Sequence, residues 1–199
     1  MRHFRRAPGQ PARLGIFPGT FNPVTIAHVA LAEAALEQVD EVLFVLPRVF
    51  PHKTYSGASF EQRLDLLGSA LSVESSYSIA ASEGGLFLEI AEECRQIYGG
   101  ATRLSFLCGA DAAARISGWN YGDDATLARM LGQFDLLVAP RGEPWTPPAP
   151  AFRPLRLSAD YTHVSATEVR ERITTGSPWR HLVPEAIRDQ VARIYAGGK

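Results

Sequence analysis

Short apolar runs alternate along the chain with longer stretches in which apolar residues recur at helical spacing. Residues 14–17 and the run EVLFVL at 41–46 are apolar at nearly every position, which is typical of strands buried on both faces. The stretch 60–71 has helical spacing, and Ser59 and Gln62 at its start have the spacing of a capping box. This order of strand and helix predicts a parallel α/β sheet with right-handed crossovers.

The remaining elements are predicted from the same two periodicities. Further strands are expected at 77–80, 104–108, 134–139 and 155–157, and helices at 86–97, after Ser165 and after Pro184. The proline-rich stretch 141–154 predicts a surface loop, because proline interrupts both helices and strands. The predicted fold is α/β, a Rossmann-like doubly wound parallel sheet, and residues 164–199 form a short C-terminal helical extension.

Composition limits the partners of this chain. Its 199 residues carry a formal net charge of −1, so no global charge attracts nucleic acid or an anionic membrane, and a small-molecule substrate is expected. Residues 1–13 are interpreted as a loose basic tail, neither a secretory signal nor a membrane anchor, before one domain at 14–199. Cys94 and Cys108 lack CxxC spacing and are expected to be free thiols, which fits the reducing cytoplasm.

The segment GIFPGTFNPVTIAH, which begins at Gly15, carries the clearest chemical signal. Gly19 is expected to supply the backbone freedom that a tight turn needs. A helix then begins near Thr25, and the unpaired backbone N–H groups of a helix start attract an anion. Thr25 and His28 lie three residues apart and share one face, so a proton-donating ring points to the same place. The segment therefore predicts a phosphate site.

Other polar residues follow the predicted strands. His52 and Lys53 come after the second strand, Gly109 and Asp111 after the fourth, and Arg141 after the fifth. In an open parallel sheet, ligands bind beyond the carboxyl ends of the strands, where the strand order reverses. We therefore expect these residues to converge on the phosphate site. On sequence alone, His52 and Lys53 are also explained as an ordinary polar loop, and Gly109 and Asp111 as a turn that caps a helix.

Two separate motifs carry a family resemblance. GTFNPVTIAH at 19–28 and VSATEVR at 164–170 resemble the signatures Gly-Thr-Phe-Asp-Pro, His/Thr-x-Gly-His and Ile-Ser-x-Thr-x-x-Arg of the nucleotidylyltransferase superfamily. Within it, PHK at 51–53 and FLCGAD at 106–111, with Trp119 following, resemble bacterial nicotinate mononucleotide adenylyltransferases. The likeness extends over nearly the whole chain after residue 13.

The resemblance implies that a phosphate of a small molecule attacks the α-phosphorus of ATP and releases pyrophosphate. Catalytic roles are implied for His28, Thr25 and Arg170. ATP-binding roles are implied for Gly19, Thr20, Phe21, Gly109, Asp111, Ser165 and Thr167. Contacts to the second substrate or its phosphate are implied for His52, Lys53, Trp119 and Arg141. Magnesium would be bound through the substrate phosphates, with no metal site built by the protein.

Several readings stay open at this point. Asn22 stands where the family usually has aspartate, Thr25 replaces the first histidine, and GGLFL at 84–88 replaces a Ser-Tyr-Thr segment of the nicotinate pocket. Nicotinate mononucleotide is the preferred acceptor; nicotinamide mononucleotide and phosphopantetheine are alternatives, as is CTP in place of ATP.

Other classes of protein are also considered. A non-catalytic nucleotide-binding module is an alternative, in which Ser165 with Glu168 is only a capping box and Arg170 a surface charge. A dinucleotide-dependent dehydrogenase is excluded, because no Gly-x-Gly-x-x-Gly follows the first strand. The oligomeric state is left open, a homo-oligomer included.

Overall fold

The computed structural model describes residues 1–48, 55, 57–118, 124–140 and 145–196. Within these residues seven strands form one sheet: β1 Arg2–Arg5, β2 Arg13–Pro18, β3 Glu41–Pro47, β4 Tyr77–Ser82, β5 Arg103–Gly109, β6 Asp135–Ala139 and β7 Phe152–Pro154. The helices are α1 Ile26–Ala35, α2 Phe60–Ala70, α3 Phe87–Tyr98, α4 Ala110–Gly118, α5 Asp124–Leu131, α6 Ala166–Thr175 and α7 Arg188–Ala196. Two 3-10 turns, Arg180–Leu182 and Glu185–Ile187, precede α7.

The sheet is doubly wound. Its strand order is β1-β4-β3-β2-β5-β6-β7, and every neighbouring pair is parallel except β1 with β4. The strand order reverses between β2 and β5. The chain continues from β2 into α1 on one face of the sheet and from β5 into α4 on the other face. A crevice therefore forms outside the carboxyl ends of these two strands. The predicted α/β class and the strands at the positions of β2 to β6 are confirmed.

Helices cover both faces of the sheet, which explains why the central strands are apolar at most positions. On one face, α1 and α2 pack over Phe17 and Phe44. On the other face, α3 packs over Phe106, whose ring stacks on Phe87 with centroids 4.4 Å apart. The two layers fix the carboxyl ends of β2 and β5, where the crevice lies.

The expectation of a loose basic tail is wrong for the first residues of the chain. Arg2–Arg5 form β1, which pairs antiparallel with β4, and the backbone N–H of Ala7 donates to Ser78 Oγ at 2.8 Å. An edge strand needs main-chain pairing more than apolar side chains, and its positive charges discourage pairing with a further strand. The strand was therefore not predictable from its polar, arginine-rich sequence.

The last strand lies earlier than expected. β7 is Phe152–Pro154 rather than 155–157, so the stretch 141–154 is not loop throughout. Leu155 follows the strand, and its backbone N–H donates to Val138 O at 2.7 Å. Proline is tolerated in β7 because this strand has a neighbour on one side only among the described residues.

Cys94 and Cys108 are both free, as expected, and both are buried, which raises the pKa of each thiol to about 12. They are therefore inert core residues. In the part of the chain that the structure describes, no helix is long and apolar enough to cross a membrane.

Candidate active site

A cleft of about 600 Å³ opens at the carboxyl edge of the sheet, where β2 and β5 diverge. Its walls come from the ends of β2, β5 and β6, the first turn of α1, the start of α6 and the connection 155–164. Two helix starts, α1 and α6, thus face one cavity. Because each start carries unpaired N–H groups and partial positive charge, the cleft is suited to an anion longer than a single phosphate.

The first turn of α1 holds a histidine in a fixed orientation. Thr25 is the N-cap residue and is fully buried. Its backbone N–H donates to His28 Nδ1 at 3.0 Å, and its Oγ1 lies 2.7 Å from the same nitrogen. Because Nδ1 accepts that N–H, a neutral His28 ring carries its proton on Nε2. The ring lines the cleft and is equipped to donate a hydrogen bond.

Aromatic packing supports the same ring. The Phe21 ring meets the His28 ring edge to face, with centroids 5.3 Å apart and planes at 72°. The centroid of the Phe17 ring lies 5.9 Å from that of the His28 ring, and Phe17 also lines the cleft. Phe21 is buried in the core, so its side chain supports His28, and Phe21 can face a ligand only through its backbone.

The loop between β2 and α1 is shaped by Gly19 and Phe21. The left-handed residue of this loop is Phe21, with φ of 45°, and Gly19 does not have a positive φ. A Cβ at Gly19 would lie 2.8 Å from Phe21 Cζ, so glycine is needed because the Phe21 ring packs against the backbone. In the same loop, the peptide bond between Asn22 and Pro23 is cis.

The start of α6 is capped by Ser165, whose Oγ accepts the backbone N–H of Glu168 at 3.0 Å. The expected reciprocal bond does not form, because the Glu168 carboxylate instead accepts from Arg172 Nε at 2.6 Å. Ser165 lines the cleft. Its hydroxyl is thus explained by the cap and is also available at the wall of the cavity.

Arg170 connects α6 to the loop after β2. Its guanidinium donates to Asn22 O at 2.6 Å, to Ala166 O at 3.1 Å and to Thr167 Oγ1 at 3.2 Å. The alternative of a solvated surface charge is therefore wrong, since the side chain is half-buried and holds two elements together. Thr167 itself is exposed at the first turn of α6.

The sequence-predicted residues fall into three groups. Those that line the cleft are Thr25, His28, Gly109 and Ser165. Those in the adjoining loop and helix are Gly19, Thr20, Phe21, Thr167 and Arg170. Asp111 is exposed in the first turn of α4, outside the lining of the cleft. His52, Lys53, Trp119 and Arg141 lie outside the described residues.

Sequence reasoning missed Arg63, which is 4% exposed on α2. Its guanidinium donates to Thr20 O at 3.0 Å and lies 4.6 Å from the centroid of the Tyr55 ring. Burial lowers the pKa of this guanidinium. The only signal was its place between apolar residues of the helical pattern, where an arginine is easily taken for a surface charge.

The described residues do not build a metal site. They include no group of three or more His, Cys, Asp or Glu side chains that could hold an ion. Asp160 supplies the one carboxylate among the described residues that line the cleft, and it accepts from Thr162 N at 2.8 Å. A magnesium ion that binds here would need its ligands mainly from phosphate oxygens and water, which is usual for this ion.

Sequence comparisons agree with this architecture. A family model described as cytidylyltransferase-like matches residues 16–172. A relative from Chromohalobacter salexigens is 30% identical over 223 residues, which cover 96% of this chain and 99% of the relative. One from Herpetosiphon aurantiacus is 29% identical over 194 residues, covering 91% of this chain and 96% of the relative. Both are named as probable nicotinate-nucleotide adenylyltransferases.

Solved structures share the fold. The Plasmodium falciparum nicotinic acid mononucleotide adenylyltransferase complexed with NaAD superposes with a TM-score of 0.71 at 16% identity, covering 92% of this chain and 97% of that one. At this identity the structural likeness concerns the fold, including the Rossmann-like sheet that places the cleft.

Proposed function

The chain belongs to the nicotinate-nucleotide adenylyltransferase family, within the wider cytidylyltransferase-like family, and we propose that it transfers the adenylyl group of ATP to nicotinate mononucleotide. The products are deamido-NAD and pyrophosphate. The acceptor comes from the names of the relatives, whereas the reaction class also has support from the site. The two free, buried cysteines fit a reducing compartment, and we assign the protein to the cytoplasm.

The observation that carries the proposal is the Thr25–His28 pair at the start of α1. It presents a ring that can donate a hydrogen bond, at a helix start that carries partial positive charge, in a cleft that the start of α6 also faces. An isolated phosphate site would need one helix start. Two starts and one oriented histidine are suited to a triphosphate whose α-phosphorus reacts.

Chemistry at this site needs no general base for the nucleophile. An acceptor phosphate oxygen is already ionised, attacks the α-phosphorus, and forms the new P–O bond as the bond to the β-phosphate oxygen breaks. Negative charge develops on the α-phosphate oxygens and on the leaving pyrophosphate. His28 donates its Nε2 hydrogen to an α-phosphate oxygen, and one such donor is worth about 3 kcal/mol of transition-state stabilisation. The rest of catalysis is positioning.

The other predicted residues take supporting roles in this proposal. The backbone at Gly19, Thr20 and Phe21 borders the triphosphate, and Gly109 and Asp111 contact the adenosine. At the start of α6, Ser165, Thr167 and Arg170 bind the β- and γ-phosphates. Arg170 would exchange some of its present contacts with carbonyl oxygens for charged phosphate oxygens, which form stronger hydrogen bonds.

The second-substrate side of the proposal rests on the family resemblance. His52, Lys53 and Arg141 are assigned to the acceptor or its phosphate, and Trp119 to stacking on the pyridine ring. Magnesium accompanies the triphosphate and neutralises its charge. Each of these roles is testable by substitution in the same assay.

A panel of acceptors tests the proposal. Pyrophosphate release is measured with ATP and magnesium and, in turn, nicotinate mononucleotide, nicotinamide mononucleotide and phosphopantetheine, and the panel is repeated with CTP. We expect the highest kcat/KM with ATP and nicotinate mononucleotide. A higher value with another acceptor would replace the substrate and keep the reaction. Folded protein that binds ATP but releases no pyrophosphate in any combination would support the non-catalytic module.

A further inference from the structure

The side chain of Asn22 joins the loop after β2 to the C-terminal helix. Its Oδ1 accepts the hydroxyl of Tyr195 at 2.5 Å and the backbone N–H of Ala58 at 3.2 Å. Asn22 is 4% exposed, and Tyr195 lies in the last turn of α7, 173 residues further along the chain. The contact therefore connects the end of the fold to the loop that borders the cleft.

The backbone of the same loop is held from two other helices. Arg170 of α6 donates to Asn22 O at 2.6 Å, and Arg63 of α2 donates to Thr20 O at 3.0 Å. Between these two carbonyl groups lies Phe21, whose φ of 45° is unfavourable for a residue with a side chain. Such a conformation persists where the surroundings over-determine it. Three helices thus hold one strained turn.

The space around the Asn22 amide is shaped for this side chain. Gly57 has φ of +136°, and a Cβ at that position would collide with Nδ2 and Oδ1 of Asn22. Only glycine allows the chain before α2 to approach so closely while Ala58 donates to Oδ1. A buried carbonyl oxygen with two donors is satisfied, and losing one of them is costly.

The direction of the hydrogen bond follows from the chemistry of the two groups. Oδ1 of an amide can only accept, so the Tyr195 hydroxyl donates. Burial raises the pKa of this hydroxyl, which keeps it a neutral donor at physiological pH. The hydroxyl can therefore donate this bond at physiological pH.

We propose that Tyr195 is a positioning residue for the nucleotide: its hydroxyl, acting through Asn22, holds the 19–23 loop in the conformation that binds the ATP phosphates. This inference rests on the proposed function. The C-terminal helix is then part of the active unit, although Tyr195 is not among the described residues that line the cleft. Without the hydroxyl, the loop samples other conformations. The affinity for ATP then falls, because only part of the protein has the loop in the conformation that binds.

A double-mutant cycle tests the coupling. The variants are Tyr195→Phe, Asn22→Leu, which keeps the side-chain size without the acceptor, and the double variant. Tyr77→Phe is the matched control, because the Tyr77 hydroxyl is buried and has no hydrogen-bond partner among the described residues. Thermal unfolding is followed for each protein, and the Kd for ATP with magnesium is measured by calorimetry alongside steady-state kcat and KM.

We expect Tyr195→Phe to raise the Kd and KM for ATP about tenfold, the loss that one buried hydrogen bond brings, with the KM for the acceptor little changed. In the Asn22→Leu background, the same change should have no further effect on ATP. Tyr77→Phe should bind ATP as the wild type does. Unchanged ATP binding in Tyr195→Phe, or effects that add in the double variant, would overturn the inference.

The outcome is distinguishable from a failure of the proposed function. If the wild type binds ATP and turns over, Tyr195→Phe and the double-mutant cycle with Asn22 decide the inference. If wild-type protein does not bind ATP, the proposed function is overturned and the inference with it. Should Asn22→Leu fail to fold, Asn22→Ser offers a shorter side chain whose oxygen does not reach the same position, and the cycle is completed with that variant.

Discussion

Thr25 Oγ1 lies 2.7 Å from His28 Nδ1, and the Thr25 backbone N–H donates to the same nitrogen at 3.0 Å. The N-cap residue and the third residue of α1 thus form one unit, in which the helix start fixes the histidine ring. Thr25 is fully buried, so this threonine is placed to orient His28 from behind while the ring lines the cleft.

Replacing Thr25 with valine tests this orientation. Thr25→Val keeps the shape and removes the Oγ1 contact with His28, so we expect kcat to fall about tenfold, the effect of one lost hydrogen bond. ATP affinity should be nearly unchanged, because the backbone N–H groups of α1 remain. Thr175→Val, the same change at an exposed position near the end of α6, is the control. Wild-type kcat in Thr25→Val would remove the orienting role.

His28 itself is tested by alanine. His28→Ala removes the donor to the α-phosphate, and kcat should fall by about a hundredfold to a thousandfold or more. ATP affinity is expected to stay within about tenfold, because this hydrogen bond strengthens in the transition state. His181→Ala, an exposed histidine in the 3-10 turn Arg180–Leu182, serves as the control. Equal turnover in the two variants would contradict the assignment.

Arg170 and Arg172 provide a matched pair on α6. Arg170→Ala should weaken ATP binding about tenfold or more, through loss of a charged donor to phosphate and of the tie to Asn22 O. Arg172→Ala removes a partly exposed ion pair with Glu168, which is worth at most about 0.5 kcal/mol, and should leave ATP affinity unchanged. Calorimetric titration with ATP compares them. The assignment fails if both variants bind equally well.

Alanine substitutions at two glycines should have opposite effects on stability, because one glycine is closely packed and the other is not. At Gly19 a Cβ would lie 2.8 Å from the Phe21 ring, so Gly19→Ala should destabilise the fold by about 1–3 kcal/mol and lower activity. At Gly68, within α2, a Cβ meets nothing within 4 Å, and Gly68→Ala should stabilise by about 0.5–1 kcal/mol. Denaturant unfolding measures both changes. Opposite signs are expected; two stabilising changes would contradict the packing of Phe21.

The N-terminal strand gives a pH dependence. Burial, and then the nearby charge of Arg6, lowers the pKa of His3, whose Nε2 lies 3.1 Å from the Tyr98 hydroxyl. The unfolded chain therefore takes up this proton first, and stability is lost as the pH falls below about 6.5, the unperturbed value. Glutamine does not titrate, so His3→Gln lacks this contribution to the pH dependence of stability. We expect the wild type to lose more Tm than His3→Gln between pH 7.5 and 5.5; parallel losses would contradict it.

The central strands and the phosphate loop were predictable because their signals are local. The apolar run at 41–46 and the helix start at Thr25 follow from periodicity and chain chemistry. β1 was missed because an edge strand rich in arginine has no apolar pattern. β7 was misplaced because Pro154 at its end is itself a signal for a loop.

Contacts distant in sequence were beyond prediction from one chain. The bond between Tyr195 and Asn22 spans 173 residues, and no local pattern indicates that these two residues meet. Arg63 lies in an amphipathic helix, where an arginine is normally solvated, and only the packed structure shows it on the carbonyl of Thr20. Likewise, position 19 needs glycine because the Phe21 ring packs against its backbone. The sequence predicts only a tight turn there and gives no sign of this contact.

The position of an isotopic label tests the central claim most directly. Wild-type protein is incubated with nicotinate mononucleotide, magnesium and ATP labelled either at the α- or at the γ-phosphorus, and the products are separated. Adenylyl transfer predicts the α-label in a dinucleotide and the γ-label in pyrophosphate, in equal amounts, with both formed about a hundredfold or more slowly in His28→Ala. Recovery of the γ-label in orthophosphate or on the acceptor, with the α-label left in ADP, would contradict adenylyl transfer.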